Sequence, residues 1–233
     1  YDALGRLVRT TDPSGAITQV AYDAADNVVK VTDPNGLHTT YVYDGFGQLW
    51  AQSSPDTGLT SVQYDAAGRR TSVTRNDGTT LGFQYDTLGR VTYIGDAGMA
   101  RFYSYDWCQN GLGQLCGMSV NDTQQVLSYS DMRYTPEGLL EARRESVGGM
   151  DLWTGYAYDN QGRLTGLSYP SGVSVGYGYA NGKLTTMTTV VGGTTQVVAG
   201  SINYEPFAGI SSWTYGNNVA RTYAYDLDGR VTG

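Results

Sequence analysis

Tyr43-Asp44-Gly45-Phe46-Gly47-Gln48-Leu49 is the stretch that decides the fold, because the chain writes it repeatedly. It recurs as Tyr1-Asp2-Ala3-Leu4-Gly5-Arg6-Leu7, as Tyr64-Asp65-Ala66-Ala67-Gly68-Arg69 and as Tyr85-Asp86-Thr87-Leu88-Gly89-Arg90-Val91. It returns as Tyr158-Asp159-Asn160-Gln161-Gly162-Arg163-Leu164 and as Tyr225-Asp226-Leu227-Asp228-Gly229-Arg230-Val231. With Tyr22-Asp23 included, the tyrosines at 1, 22, 43, 64 and 85 stand 21 residues apart. A fixed period of this size marks a repeat architecture.

Asp-x-x-Gly suits a type I turn with Asp at its first position and Gly at its fourth. The Asp carboxylate accepts a backbone hydrogen bond two residues on, and Gly takes the left-handed conformation without steric cost. A type I turn followed by a left-handed residue is a three-residue hairpin loop with a bulge. That geometry sets the Tyr before Asp opposite the Leu or Val two residues after Gly. Such an aromatic–aliphatic cross-strand pair contributes about 0.2–1 kcal/mol. In Tyr22-Asp23-Ala24-Ala25-Asp26-Asn27 the Gly is replaced by Asp26, which tolerates the left-handed region better than most residues.

A second turn signal sits halfway through the early repeats: Asp12-Pro13-Ser14-Gly15, Asp33-Pro34-Asn35-Gly36 and Asn76-Asp77-Gly78. Between turns lie short runs rich in Val, Thr, Ile and Tyr, without helical spacing. Each repeat therefore reads as one β-hairpin. The fold class is all-β: tandem 21-residue hairpins forming a long, curled antiparallel strip. Eleven motif-like starts imply about twenty strands, a strip on the order of 100 Å long at about 4.8 Å per strand. A flat strip with one apolar face would expose too much apolar surface, so it is expected to curl with the strand twist. Val28 and Val31 both look like core positions yet are three apart, which predicts a bulge or strong twist in Asn27–Thr32, or a sheet partly covered on both faces.

One continuous array is expected, in three stretches: regular repeats over 1–98, irregular repeats with insertions over 99–157, and resumed repeats over 158–233. In the middle stretch Trp107-Cys108-Gln109-Asn110-Gly111-Leu112-Gly113 expands a turn. Leu139–Ser146 follows a Gly-Leu strand start and is read as a strand despite its helix-compatible residues. The array opens inside a motif and reads as a piece of a longer repeat protein, with sheet edges open to end-to-end association.

The net charge of −7 gives a nucleic-acid role no electrostatic support, and no apolar run reaches the length of a membrane span. Cys108 and Cys116 are the only cysteines. A local disulfide across a hairpin and a reduced buried pair both fit, and the lack of a cysteine framework weighs toward the reduced pair. One distant histidine, His38, does not complete a zinc site with them.

Tyr-Asp-x-x-Gly-Arg-Leu followed by Asp-Pro-x-Gly at a 21-residue period resembles the YD repeats of the Rhs family. That family includes bacterial Rhs polymorphic toxins, the C component of insecticidal toxin complexes, and the teneurins. The resemblance implies hairpins spiralling into a hollow shell that, in bacterial members, holds a toxic C-terminal polypeptide. It implies a secreted or cell-surface protein whose partners are the remainder of the parent repeat protein and an encapsulated cargo. The self-cleaving aspartate site of the bacterial shells is not recognisable here, and the chain is too short for a full shell.

The repeated aspartates invite an acid–base reading, but each occupies the turn position that needs its hydrogen bond. No catalytic, cofactor or metal site is therefore assigned. Asp226-Leu227-Asp228-Gly229 lacks the further ligands of a calcium loop. Tyr1, Asp2, Gly5, Tyr22, Asp23, Tyr43, Asp44, Gly47, Tyr64, Asp65, Gly68, Tyr85, Asp86, Gly89, Tyr158, Asp159, Gly162, Tyr225, Asp226 and Gly229 are read as structural motif residues. The motif arginines (Arg6, Arg69, Arg90, Arg163, Arg230) are expected to pair with acids in adjacent turns. The functional expectation is a shell segment without catalysis. The alternative is a cell-surface or carbohydrate-binding adhesion module that contacts a glycan through Trp50, Trp107, Trp153 and Trp213.

Overall fold

The computed structural model describes residues 1–206 and 209–232; Gly233, which ends the third expected stretch, lies outside them. Strands β1 to β10 are Arg9–Thr11, Ile17–Tyr22, Val28–Thr32, His38–Tyr43, Leu49–Ser54, Gly58–Tyr64, Arg70–Thr74, Thr80–Tyr85, Val91–Gly95 and Met99–Tyr105. Strands β11 to β20 are Leu115–Asp122, Val126–Tyr134, Leu140–Val147, Met150–Tyr158, Leu164–Ser168, Ser174–Ala180, Lys183–Val191, Thr194–Tyr204, Ile210–Tyr215 and Ala220–Thr222. The 20 strands belong to one antiparallel sheet, and the described residues contain no helix. The stretch read as a strand around Leu139–Ser146 is β13.

The chain divides into two compact units, Tyr1–Phe102 with Val120–Gln125, and Tyr103–Ser119 with the described residues from Val126 onward. In the first unit β1 to β10 form a meander in which each strand pairs with its sequence neighbours. In the second unit β12 to β20 do the same.

Tyr22 pairs with Val28, Tyr43 with Leu49, Tyr64 with Arg70 and Tyr85 with Val91. At every one of these pairs the register shifts, because the next pair skips a residue on the returning strand. In the β2–β3 hairpin the skipped residue is Val29, since Ala21 pairs with Lys30. One extra residue on one strand is a β-bulge, and it resolves the conflict between Val28 and Val31. Both face the same side once Val29 is taken out of the alternation. The bulge recurs at Trp50, Thr71 and Thr92, and in the second unit at Glu141, Thr165 and Thr185.

With the bulges counted, one face of the first unit carries Val20, Tyr22, Tyr41, Tyr43, Val62, Tyr64, Phe83, Tyr85 and Ile94. The other carries Gln19, Lys30, Ser53, Gln63, Ser72 and Gln84. Few apolar side chains are buried; they include Ala51 and Val62 in the first unit, and Cys116, Tyr134, Ala199 and Ile202 in the second. The accessible surface is 14974 Å². A globular monomer of this mass would expose about 10,000 Å². The apolar side chains are shielded mainly by their neighbours along the sheet.

Candidate functional site

The repeat motif is built from its turn upward. In the Asp44 turn, Gly47 donates its N–H to the Asp44 carbonyl (3.1 Å), and Asp44 donates to the Gln48 carbonyl (2.9 Å). Asp44 Oδ1 accepts from the N–H groups of Phe46 and Gln48, each at 2.9 Å. Gly47 sits at φ 77°, where an L side chain would be strained. Asp2 with Gly5, Asp65 with Gly68, Asp86 with Gly89, Asp159 with Gly162 and Asp226 with Gly229 repeat the Gly-to-Asp bond at 3.0–3.1 Å. Asp23 makes the same turn with Asp26, which adopts φ 66° in place of Gly.

The motif tyrosines join one repeat to the one before. Tyr22 Oη donates to the carbonyl of Leu7, Tyr43 to Val28, Tyr64 to Leu49 and Tyr85 to Arg70, at 2.9–3.0 Å. In the second unit Tyr134 reaches Leu115, Tyr179 reaches Leu164, Tyr204 reaches Leu184 and Tyr225 reaches Ile210. Most of these acceptors lie 15 residues upstream, opposite the tyrosine of the preceding hairpin. The β5–β6 register runs from Ser54↔Gly58 to Ala51↔Ser61 and stops two residues short of Leu49. The Tyr64 hydroxyl thus fills an acceptor that the strand ladder leaves open. Tyr158 pairs with Leu164, and Tyr225 forms an isolated bridge to Val231. Tyr1 is 83% exposed.

The arginines differ from the expectation. Arg6, Arg69, Arg90 and Arg163 pair with the aspartate of their own turn: Asp2, Asp65, Asp86 and Asp159, each at 2.7 Å. The turn brings residues i and i+4 side by side, so the guanidinium meets Asp Oδ2 while Oδ1 caps the backbone. Arg6 also reaches an acid of the adjacent turn, Asp26, at 2.7 Å. Arg230 pairs instead with Asp228 at 3.5 Å. Arg6, Arg69 and Arg163 also lie 4.7–4.8 Å from the ring centres of Tyr22, Tyr85 and Tyr179. Each repeat is therefore tied to the next by a phenol–carbonyl bond and, in these three, by a cation–π contact.

These bonds depress the carboxylates of Asp2, Asp65, Asp86 and Asp159. Backbone and side-chain hydrogen bonds from Arg6 lower Asp2, those from Arg69 lower Asp65, and the Arg163 guanidinium leads in lowering Asp159. For Asp86 desolvation is the largest influence and raises it, but the bonds from Arg90 outweigh it and the net shift is downward. No group of three or more metal-ligating side chains is assembled among the described residues.

The expanded turn of the middle stretch is stapled. Cys108 and Cys116 form a disulfide with Cα atoms 5.4 Å apart, which corrects the reading that weighed toward a reduced pair. The physical reason is local: Asp106 N–H donates to the Gln114 carbonyl, which brings the two cysteines together across the loop. Asn110 Nδ2 donates to the Tyr134 carbonyl at 2.8 Å, docking the loop on the start of the next turn. The tyrosine–carbonyl ladder was missed by the sequence reading. Its one signal is that every early repeat starts with Tyr rather than Phe.

The RHS repeat model matches residues 1–37, 22–59, 43–80, 64–98 and 158–195, more than half of the chain. The chain belongs to the RHS repeat family. Among solved structures, this RHS repeat chain is similar to TcdB2-TccC3 without its hypervariable C-terminal region, with TM-score 0.81 and 20% identity over 99% of the chain. It is similar to the Photorhabdus luminescens Tc holotoxin pore, with TM-score 0.76 and 19% identity over 96% of the chain. In both cases it spans 13% of the other chain's length. No curated protein matches the sequence. At this identity the likeness establishes the fold. No helix among the described residues is long and apolar enough to cross a membrane.

Proposed function

We propose that this chain is a structural segment of an RHS-repeat β-shell that isolates a toxin or effector polypeptide and performs no catalysis of its own. The observation that carries the reading is the use of the motif side chains. The tyrosine hydroxyls are bound to carbonyls of the preceding repeat, the aspartates cap their own turns, and four of the arginines are paired with those aspartates. A motif spent on holding repeats together suits a wall. Its partners on this reading are the rest of the parent repeat protein and an enclosed cargo, in a secreted or cell-surface assembly. The regular stretch 1–98 and the resumed stretch 158–233 extend the wall, and the insertions of 99–157 interrupt it.

The test is protease protection in the parent protein carrying its cargo. The cargo should survive proteinase K while the shell is intact. It should be lost from a Tyr43→Ala/Tyr64→Ala variant at the temperature where that variant's wall melts. Cargo digested from the intact protein as fast as free cargo would overturn the proposal.

A second reading, contact with a glycan, is favoured by one observation. Trp107 and Trp153 are exposed (57% and 39%) and lie in one cluster of the second unit.

A further inference from the structure

One face of β12–β14 carries side chains that the repeat pattern does not require. The register sets Asp131, Arg144 and Trp153 in one row, and Arg133, Ala142 and Gly155 in the next. Strand alternation puts both rows on the same face. Arg144 is fully engaged: Nε donates to Asp131 Oδ2 at 2.7 Å and Nη1 to Asp151 Oδ2 at 3.4 Å. Its guanidinium lies 5.5 Å from the Tyr129 ring centre and 5.7 Å from that of Trp153. Arg133 is different. Its guanidinium lies 5.0 Å from the Trp153 ring centre, and no carboxylate pairs with it among the described residues. Ala142 and Gly155 beside it offer little bulk, so it borders open space.

The opposite wall of that space is the stapled loop. Trp107 stands on it, its Nε1 donating to Ser104 Oγ at 3.0 Å, followed by Cys108 and Gln109. The disulfide and the Asn110–Tyr134 bond fix this wall against the sheet. The hollow encloses about 390 Å³. Ligand sites span about 300–1,000 Å³ and combine aromatic walls with a few placed polar groups.

The chemistry of the lining selects a ligand class. A guanidinium placed over an indole ring presents a planar fork of donors, which a carboxylate matches in bidentate fashion. The exposed indole of Trp107 offers a flat apolar face with a polar tip, suited to the C–H face of a hydroxylated ring. Gln109 and Asp131 supply groups for hydroxyls. Asp131 and Asp151 on the same face, with a net charge of −7, disfavour a densely charged polyanion. We infer that this hollow binds a saccharide bearing a carboxylate. The inference rests on the glycan reading and is independent of the shell reading.

The test titrates the purified full chain with a trisaccharide of galacturonic acid and with its neutral methyl ester, read by tryptophan fluorescence and calorimetry. The acid should bind at least about tenfold tighter than the ester, the scale of one hydrogen-bonded charge. Arg133→Met should remove that preference, Arg133→Lys should restore part of it, and Trp107→Ala should weaken both sugars. Arg133 is exposed, so its variants should keep the wild-type melt. Equal binding of both sugars, lost in Trp107→Ala, would overturn the carboxylate assignment and leave the glycan reading standing. No titration by either sugar up to about 10 mM, which covers millimolar dissociation constants, would overturn both and leave the shell reading untouched.

Discussion

Replacing Tyr64 by phenylalanine removes one oxygen and leaves the ring against its neighbours. The hydroxyl donates to Leu49 O at 2.9 Å in a part-buried setting, and that carbonyl lies beyond the last β5–β6 pair. A typical intramolecular hydrogen bond contributes about 0.5–1.5 kcal/mol net, and leaving a buried acceptor open costs about 1–3 kcal/mol. Water can reach this carbonyl in part, so about 1 kcal/mol is expected. Over a domain of 150–250 residues that corresponds to a melting shift of roughly 2–4 °C. Tyr41→Phe is the control. Tyr41 lies on the same face of the sheet, and its hydroxyl has no partner in the described bonds. The ladder also predicts additivity. Successive tyrosines are two strands apart, about 9.6 Å, so Tyr22, Tyr43, Tyr64 and Tyr85 changed together to Phe should cost about 4 kcal/mol. Urea unfolding followed by tyrosine fluorescence and circular dichroism measures both quantities. A Tyr64→Phe variant indistinguishable from Tyr41→Phe would refute the reasoning.

Three further outcomes follow from the same geometry. Because Asp2, Asp65, Asp86 and Asp159 are depressed in the folded chain, their contribution is fully present above the ordinary carboxylate pKa of about 3.9. It is lost as pH falls through the lower folded values, so stability should decline below about pH 4. Asp65→Asn, which keeps the turn acceptor, should flatten that decline and cost less than Asp65→Ala in a pH series of melts. Reducing Cys108–Cys116 opens a loop with a separation of 8 residues and should destabilise the second unit by about 2.5 kcal/mol on the chain-entropy account. Amide exchange should then rise around residues 106–116 and 134 and stay unchanged in residues 1–98. Ser201 holds φ 51° with its side chain exposed, so Ser201→Gly should stabilise the second unit by about 0.5–1 kcal/mol after glycine's own entropy cost, read as a higher melting midpoint.

Much of the fold was legible because its information is local. Asp44 to Gly47 specifies a turn by residue type alone, and the 21-residue period copies that turn along the chain. The strand around Leu140 was legible against its helix-compatible composition, because the Gly138-Leu139 start set its phase. Contacts between repeats were harder to read. The acceptor of Tyr64 is a backbone carbonyl, which no residue type announces, and it stays open to the hydroxyl because the β5–β6 ladder ends at Ala51. The own-turn partners of Arg6, Arg69, Arg90 and Arg163 were passed over because whether residues i and i+4 meet depends on the path of the turn, which spacing alone does not state. The β12–β14 cluster was invisible because its rows join residues 131, 144 and 153 through cross-strand register. The disulfide turned on how the loop from Asp106 to Gln114 closes, which two cysteines alone do not state.

Small-angle X-ray scattering with light scattering on the purified chain tests the central claim most directly. A hairpin array whose face is shielded mainly by its own neighbours should give a radius of gyration well above the roughly 17 Å of a globular chain of this length, as an open particle or an end-to-end assembly. A monomer at about that globular value would mean that the sheet folds back into a closed core, and the account of an open wall element would be contradicted.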